Sequence, residues 1–150
     1  MKLQDAVRRI LAVKGSEVHS ISPHNTVAEA LQKLAEKDVG ALLVMEGTEL
    51  VGVLSERDYA RKVFLTGRVS TATLVREIMS APAVTVNACT TVDESMQVMT
   101  ANRCRHLPVM DDDGKVLGVV SIGDLVNWIM TTQDMTIHQL EEYITGGYPG

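Results

Sequence analysis

The motif Gly-x-x-Ser-x-x-Asp occurs twice in this chain of 150 residues, at 52–58 and at 118–124. In each copy an apolar run precedes the serine and a helical pattern follows it, so the motif lies where a strand leads into a helix. Unpaired N–H groups at a helix N-terminus suit phosphate oxygens, and a nearby carboxylate can accept hydrogen bonds from a sugar diol. The motif therefore indicates a ribonucleotide site. Its polar residues are Ser55 and Asp58 in the first copy and Ser121 and Asp124 in the second.

The same spacing also has a purely local explanation. A serine followed three positions later by an acidic residue can form a capping box, in which each side chain bonds the backbone N–H of the other residue. Glu or Gln is the usual partner in this arrangement, whereas both copies here have the shorter Asp. The sequence leaves both interpretations open for each copy.

The two motifs belong to a longer internal repeat. Residues 26–58 recur at 91–124, and the opening Thr-Val-Ala-Glu-Ala-Leu-Gln returns as Thr-Val-Asp-Glu-Ser-Met-Gln. A repeat of this length is one supersecondary unit written twice. Fused copies tend to pack about a pseudo-two-fold axis, so we expect any cleft between the copies to exist twice.

The pattern within each copy predicts a strand, a helix, two strands and a second helix. Apolar alternation and short apolar runs mark the strands, and apolar residues at helical spacing mark the helices. In the first repeat the strands are predicted at 18–21, 40–45 and 50–54 and the helices at 27–37 and 56–65. In the second the strands are predicted at 84–86, 106–110 and 116–120 and the helices at 92–102 and 122–130.

Further segments flank the repeats. The predicted division of the chain is an N-terminal helix in 1–15, a first domain at 16–66, a linker with a short helix at 67–80, a second domain at 81–131, and a C-terminal helix and tail at 132–150. The helical patterns at 3–13 and 136–144 are amphipathic. Their apolar faces could cover a second copy of the chain or pack onto the repeats themselves, and the sequence does not choose between these.

Composition excludes several classes of function. A net charge of −5 and an aromatic content of 3% argue against nucleic-acid binding, which needs a basic face or stacking platforms. No stretch approaches the length of a membrane span. Cys89 and Cys104 lack metal or redox spacing, so we expect reduced thiols in a cytoplasmic protein.

The sequence offers no recognisable catalytic centre. The four histidines have no metal-ligand spacing, and the motifs of a nucleophile elbow, a P-loop and a dinucleotide fingerprint are missing. We therefore expect no enzyme activity, no metal and no covalent cofactor.

The duplicated unit, its Thr-Val-x-Glu-Ala-Leu-like opening, the strand Arg-His-Leu-Pro-Val at 105–109 and the two Gly-x-x-Ser-x-x-Asp motifs together resemble a tandem pair of CBS domains, also called a Bateman module. The resemblance covers about residues 16–131 and is greatest to stand-alone proteins with two CBS domains. It implies a mixed α/β (α+β) fold of two β-α-β-β-α repeats. It also implies that AMP, ADP, ATP or NAD(H) binds in two clefts between the repeats and that the chain regulates another protein.

The resemblance further implies which residues line each cleft. Asp58 and Asp124 would each bind a ribose, with Ser55 and Ser121 near the phosphates. Each cleft would draw its base-contacting residues from the opposite repeat. The first cleft would add Arg57, Thr85, Val86, Cys104, Arg105 and His106, and the second would add Ser20, Ile21, Val39, Gly40 and Ala41.

The two implied clefts differ in charge. The Asp58 cleft contains Arg57, Arg105 and His106, which can meet phosphate oxygens. The Asp124 cleft has Gly or aliphatic residues at the matching positions. We therefore expect the more highly phosphorylated ligand at Asp58 and a less charged ligand, or none, at Asp124.

Three functions fit the sequence to different degrees. A nucleotide sensor explains the repeated aspartate and the clustered cations, and it would act in trans on a partner protein because the chain shows no attached effector domain. A ligand-free structural dimerisation module explains the apolar elements but not the aspartates. An enzyme lacks a general base or a metal constellation. In the first two cases we expect a homodimer.

Overall fold

The computed structural model describes residues 2–131. Its contacts group these residues into two compact units, one formed by residues 18–83 and the other by 2–17 together with 84–131. We call them the first-repeat unit and the second-repeat unit. Each contains one three-stranded sheet with its helices, which confirms the predicted mixed α/β class. The predicted helix at 136–144 and the tail at 146–150 lie outside the described residues.

The described chain contains helices and strands in the predicted order. The helices are α1 Val7–Lys14, α2 Val27–Lys37, α3 Glu56–Tyr59, α4 Val75–Ile78, α5 Val92–Asn102 and α6 Ile122–Met130. The strands are β1 Ser20–Ile21, β2 Ala41–Glu46, β3 Glu49–Ser55, β4 Val86–Asn87, β5 His106–Met110 and β6 Val116–Ser121. Single 3₁₀ turns occupy Lys2–Gln4 and Ser70–Ala72, and a π turn, Ala60–Phe64, follows α3.

The sheet of the first-repeat unit has the order β1-β2-β3. β1 runs parallel to β2, and β2 pairs antiparallel with β3 so that Ala41 lies opposite Ser55. Helix α2 begins at Thr26 with a capping box to Glu29 and packs Val27, Ala30 and Leu34 into the core. The antiparallel hairpin thus brings the end of β3 next to the start of β2.

The second-repeat unit has the same arrangement. Its sheet has the order β4-β5-β6, with β4 parallel to β5 and β5 antiparallel to β6, and His106 lies opposite Ser121. Helix α5 begins at Thr91 with a capping box to Glu94. The internal repeat of the sequence is therefore a repeat of local structure.

The segment in front of each repeat packs in the unit of the other repeat. The backbone N–H of Val7, at the start of α1, donates to the carbonyl of Thr90 at 2.8 Å, and Val7, Ile10 and Leu11 are buried in the core of the second-repeat unit. The N–H of Val75, at the start of α4, donates to the carbonyl of Asn25 at 2.9 Å. The apolar face of α1 is thus covered within the chain, which decides the alternative that the sequence left open for this helix.

One predicted helix has a different form. The pattern predicted a continuous helix at 56–65, but α3 ends after one turn and a π turn follows. The N–H of Leu65 donates to the carbonyl of Ala60, and that of Arg68 donates to Val63, each at 3.0 Å and each across five residues. The Thr66 hydroxyl bonds the Lys62 carbonyl at 2.8 Å, so this carbonyl has a side-chain partner.

Candidate ligand-binding sites

The first motif forms a turn between β3 and α3. The N–H of Asp58 donates to Ser55 Oγ at 3.1 Å, and Asp58 Oδ2 accepts from the N–H and the hydroxyl of Ser55 at 2.9 and 3.0 Å. Oδ1 accepts from the hydroxyl of Ser80 at 3.1 Å and lies 3.2 Å from Lys62 Nζ. The carboxylate is buried and has four donors, which is about its full capacity.

The second motif forms the same turn between β6 and α6. The N–H of Asp124 donates to Ser121 Oγ at 3.1 Å, and Asp124 Oδ2 accepts from the N–H of Ser121 at 2.8 Å. Lys14 Nζ, from α1, lies 2.6 Å from the same oxygen and also donates to the Val119 carbonyl at 2.9 Å. No described residue donates to Oδ1. The Asp124 side chain is 24% exposed, against 11% for Asp58.

Both motifs are therefore capping boxes, as the local interpretation predicts. The cap uses Oδ2 of each aspartate and one hydrogen bond from the serine backbone. The other oxygen of the carboxylate takes no part in capping. At Asp124 this oxygen has no described donor, so a ligand can bind there while the cap stays in place; at Asp58 it accepts from Ser80 and lies 3.2 Å from Lys62.

The start of the middle strand lies beside the motif of its own unit. The carbonyl of Gly40 accepts from the N–H of Glu56 at 3.1 Å, and the carbonyl of Arg105 accepts from the N–H of Ile122 at 2.9 Å. Ala41 and His106 follow and pair with the motif serines. Each unit thus gathers its strand start, its serine and its aspartate at one end of the sheet.

The structure places the other predicted site residues on β1, at the start of β4 and directly after α2 and α5. Ser20 and Ile21 form β1, where the Ser20 carbonyl accepts from Lys33 Nζ. Thr85 is exposed and Val86 is buried at the start of β4. The N–H of Val39 and that of Cys104 each donate to the helix that ends before them. The predicted groupings of Asp58 and Asp124 with residues of the opposite repeat join different units and stay predictions.

Burial and charge set the protonation of two predicted site residues. Burial lowers the pKa of His106 below its ordinary value of 6.5; the nearby Asp124 acts in the opposite direction, while Lys14 and Arg105 lower it further. His106 is therefore neutral at pH 7 and offers a hydrogen bond rather than a positive charge. Burial raises the pKa of the Cys104 thiol, so the thiolate is disfavoured.

Sequence reasoning missed three residues that contact the aspartates. Lys14 and Ser80 belong to segments outside the repeats, and Lys62 lies in the helical segment that follows the first motif. Lys62 Nζ in fact also donates to the Ile78 carbonyl at 2.9 Å. A signal existed for Lys14, because it follows the apolar Leu11 by three positions and shares its helix face.

Two further observations concern the kind of site. Among residues 2–131, no group of three or more His, Cys, Asp or Glu side chains could hold a metal ion. In the same part of the chain, no helix combines the length and the apolar character that crossing a membrane requires.

Two β-α-β-β-α repeats, each with a Ser-x-x-Asp turn at the end of its last strand, define a duplicated domain of the class that the sequence suggested. The family model described as CBS domain matches residues 3–64 and 75–131. The chain therefore belongs to the CBS domain family, and the resemblance noted in the sequence is confirmed.

Individual relatives agree with this assignment. The chain is 41% identical over 129 residues to the CBS domain-containing protein CBSX3, mitochondrial, of Arabidopsis thaliana, covering 83% of this chain and 62% of that protein. A candidate signal-transduction protein with CBS domains from Burkholderia ambifaria is 44% identical, with a TM-score of 0.81 over 88% of this chain and 98% of that one. A hexameric CBS-CP12 protein from bloom-forming cyanobacteria is 28% identical, with a TM-score of 0.72 over 81% and 66%.

The match to curated relatives covers only part of some of them. The chain spans less than two thirds of the Arabidopsis protein, and it spans 54% of an uncharacterised protein of Methanopyrus kandleri to which it is 34% identical. Archaeal inosine-5'-monophosphate dehydrogenases match over 25–27% of their length. What these longer proteins do as a whole is therefore not transferred to this chain.

Proposed function

We propose that this chain is a regulatory module that binds adenine nucleotides at Asp58 and Asp124 and thereby acts on a partner protein in trans. The observation that carries the proposal is the repeated turn, in which a carboxylate is fixed at a helix N-terminus by its own capping box. The predicted groupings with residues of the opposite repeat belong to the same proposal.

The chemistry of the turn favours a ribonucleotide. A carboxylate accepts hydrogen bonds from the two hydroxyls of a ribose, and its fixed rotamer removes part of the ordering cost of binding. The helix N-terminus beside it favours the negative charge of a phosphate. Adenine itself is proposed from family membership, because backbone contacts to a base leave no side-chain pattern in the sequence.

The proposed function has four further parts. We propose that the chain is not an enzyme, that it forms a homodimer, that it resides in the cytoplasm, and that the Asp58 site takes the more highly phosphorylated ligand. Support for assembly comes from the hexameric CBS-CP12 relative. The Burkholderia relative supports a role in signal transduction.

Isothermal titration with AMP, ADP, ATP, NAD, NADH and S-adenosylmethionine tests the proposal. We expect saturable binding that weakens about 10- to 100-fold in Asp58→Asn or Asp124→Asn, in line with the loss of a charged hydrogen bond to the ligand. Asparagine keeps one oxygen for the capping box, so these variants should fold. Asp38→Asn, at the exposed end of α2, is the control with the same change of charge.

A second candidate function is a ligand-free interaction module. Phe64 and Leu65 are 70% and 74% exposed, which is unusual for large apolar side chains and suits a protein contact. If folded protein binds none of the six ligands, the nucleotide proposal is wrong and this candidate takes its place. In that case light scattering should show a dimer or larger assembly that Phe64→Ser and Leu65→Ser disrupt.

A further inference from the structure

The C-terminal end of α1 is attached to the second motif by one side chain. Lys14 Nζ bridges Asp124 Oδ2 at 2.6 Å and the Val119 carbonyl at 2.9 Å. Leu11, one turn earlier, packs against Gly118. Val13 is 78% exposed, so Leu11 and Lys14 are the side chains that attach the last turn of α1.

The first-repeat unit makes the equivalent attachment differently. There Ser80 exchanges two backbone hydrogen bonds with Val53, at 2.9 and 3.0 Å, and adds its hydroxyl to Asp58. The ammonium group of Lys14 thus occupies the position that the N–H and hydroxyl of Ser80 occupy in the other unit. A backbone bridge resists displacement, whereas a lysine side chain can rotate away without breaking the sheet.

The lysine near Asp58 could not transmit such a change. Lys62 Nζ joins Asp58 to the Ile78 carbonyl at the end of α4, but the two backbone hydrogen bonds between Ser80 and Val53 would still hold that segment if Lys62 moved. Lys14 reaches Asp124 from 110 residues earlier in the chain. Displacing Lys14 therefore releases one structural element from another.

The acceptor positions of Asp124 bring the ligand and Lys14 into competition. Oδ2 accepts from the N–H of Ser121 and from Lys14, which together use both of its lone pairs. A ribose diol presents two donors to a carboxylate. It can engage both oxygens only if Lys14 leaves Oδ2.

We infer that Lys14 is a latch which a ribonucleotide displaces when it binds at Asp124, and that its release frees the last turn of α1. The inference rests on the proposed function and adds the element through which occupancy of this site is reported. The first turns of α1 stay in place, because Val7 and Ile10 remain buried. Leu11 is buried as well, so the change is local to about residues 12–15.

Titration and hydrogen exchange of Lys14→Met test the latch with AMP, ATP and NAD as probes. Methionine keeps the aliphatic length of the side chain and removes the ammonium group. We expect the variant to bind about two- to fivefold more tightly, because a partly exposed ion pair no longer has to be broken. Amide hydrogen exchange at residues 12–15, including the N–H of Gly15 that bonds the Leu11 carbonyl, should become faster when ligand binds the wild type. In the variant it should be fast with and without ligand.

Arg9→Met is the matched control, since Arg9 lies on the same helix and pairs with Asp5 instead. It should keep the wild-type affinity and the ligand-dependent exchange. The latch alone is wrong if Lys14→Met binds more weakly than the wild type. It is also wrong if the two proteins bind equally and no ligand alters the hydrogen exchange of the wild type. Binding that only Asp58→Asn weakens also overturns the latch, but it leaves nucleotide binding at Asp58 standing. If neither the wild type nor Lys14→Met binds any of the probes, the proposed function is wrong and the latch with it.

Discussion

Asp58 and Asp124 close identical capping boxes, but the residues that reach them from elsewhere in the chain differ. The cap can be predicted from the sequence, because it depends on residues three positions apart. Ser80 and Lys14 cannot be predicted in this way, since they approach from segments that the repeat pattern does not include. The motif therefore locates both candidate sites, but tertiary structure decides which protein donors bond each aspartate.

His106 should make stability depend on pH in the mildly acidic range. Its folded pKa lies below the ordinary value of 6.5, so between these two values the unfolded chain binds more protons than the folded chain. The free energy of unfolding should thus fall as the pH decreases through 6.5, and this loss should end below the folded pKa. Urea denaturation at several pH values between about 7.5 and 5, the range in which histidine titrates, measures the effect.

His106→Gln is the variant that isolates this residue. It keeps a polar side chain at the start of β5 but cannot titrate, so its stability should fall less over the same range. A variant with the full pH dependence of the wild type would contradict the assignment to His106.

At the scale of elements, two glycines allow a neighbouring segment to pack directly on a strand. A Cβ at Gly52 would lie 2.9 Å from Met79 Sδ and 2.9 Å from the backbone oxygen of Ser80. A Cβ at Gly118 would lie 2.8 Å from Leu11 Cδ2, the end of a flexible side chain. The same motif position thus faces backbone in one unit and a movable side chain in the other.

We expect Gly52→Ala to destabilise the protein by about 1–3 kcal/mol and Gly118→Ala to cost less, because Leu11 can change rotamer. Leu11→Val should recover stability in the Gly118→Ala background, whereas Met79→Val should not rescue Gly52→Ala. Urea denaturation of the four variants measures these differences. Gly123→Ala, whose Cβ has its nearest contact at 3.6 Å, is the control. Equal losses at Gly52 and Gly118 would contradict the explanation.

The sequence predicted the element order correctly and the long helices most accurately. Helices α2, α5 and α6 have the predicted bounds, because caps and apolar spacing are local signals. Strands β1 and β4 are shorter than predicted, since pairing with one parallel neighbour decides their length. The π turn after α3 has no signal in apolar spacing, because it depends on which carbonyl each N–H selects.

At the scale of the molecule, the packing of α1 and α4 is the part of the fold that the sequence did not predict. Repetition shows which residues are equivalent, but it does not show which unit a flanking helix joins. The apolar face of α1 was visible in the sequence, yet either unit could have covered it. The contacts assign α1 to the second-repeat unit and α4 to the first.

Splitting the chain after Gly67 should produce two fragments that fold only together. Fragment 1–67 lacks Val75 and Ile78 of α4, and fragment 68–150 lacks Val7 and Ile10 of α1, all of them core residues. Burial of each missing pair of side chains contributes about 3–6 kcal/mol, which is comparable with the whole free energy of unfolding of a small domain. Circular dichroism of the separate and mixed fragments measures the recovery. Cooperative unfolding of fragment 1–67 alone, equal to that of fragment 18–83, would contradict this prediction.

The reciprocal docking of α1 and α4 also bears on the ancestry of the chain. Duplication of a self-contained unit would leave each leading helix on the repeat that follows it in sequence. Here each leading helix joins the other repeat, which is the connectivity that a domain-swapped dimer of two single-repeat chains would have. Joining two such chains end to end would keep the exchanged helices within one molecule.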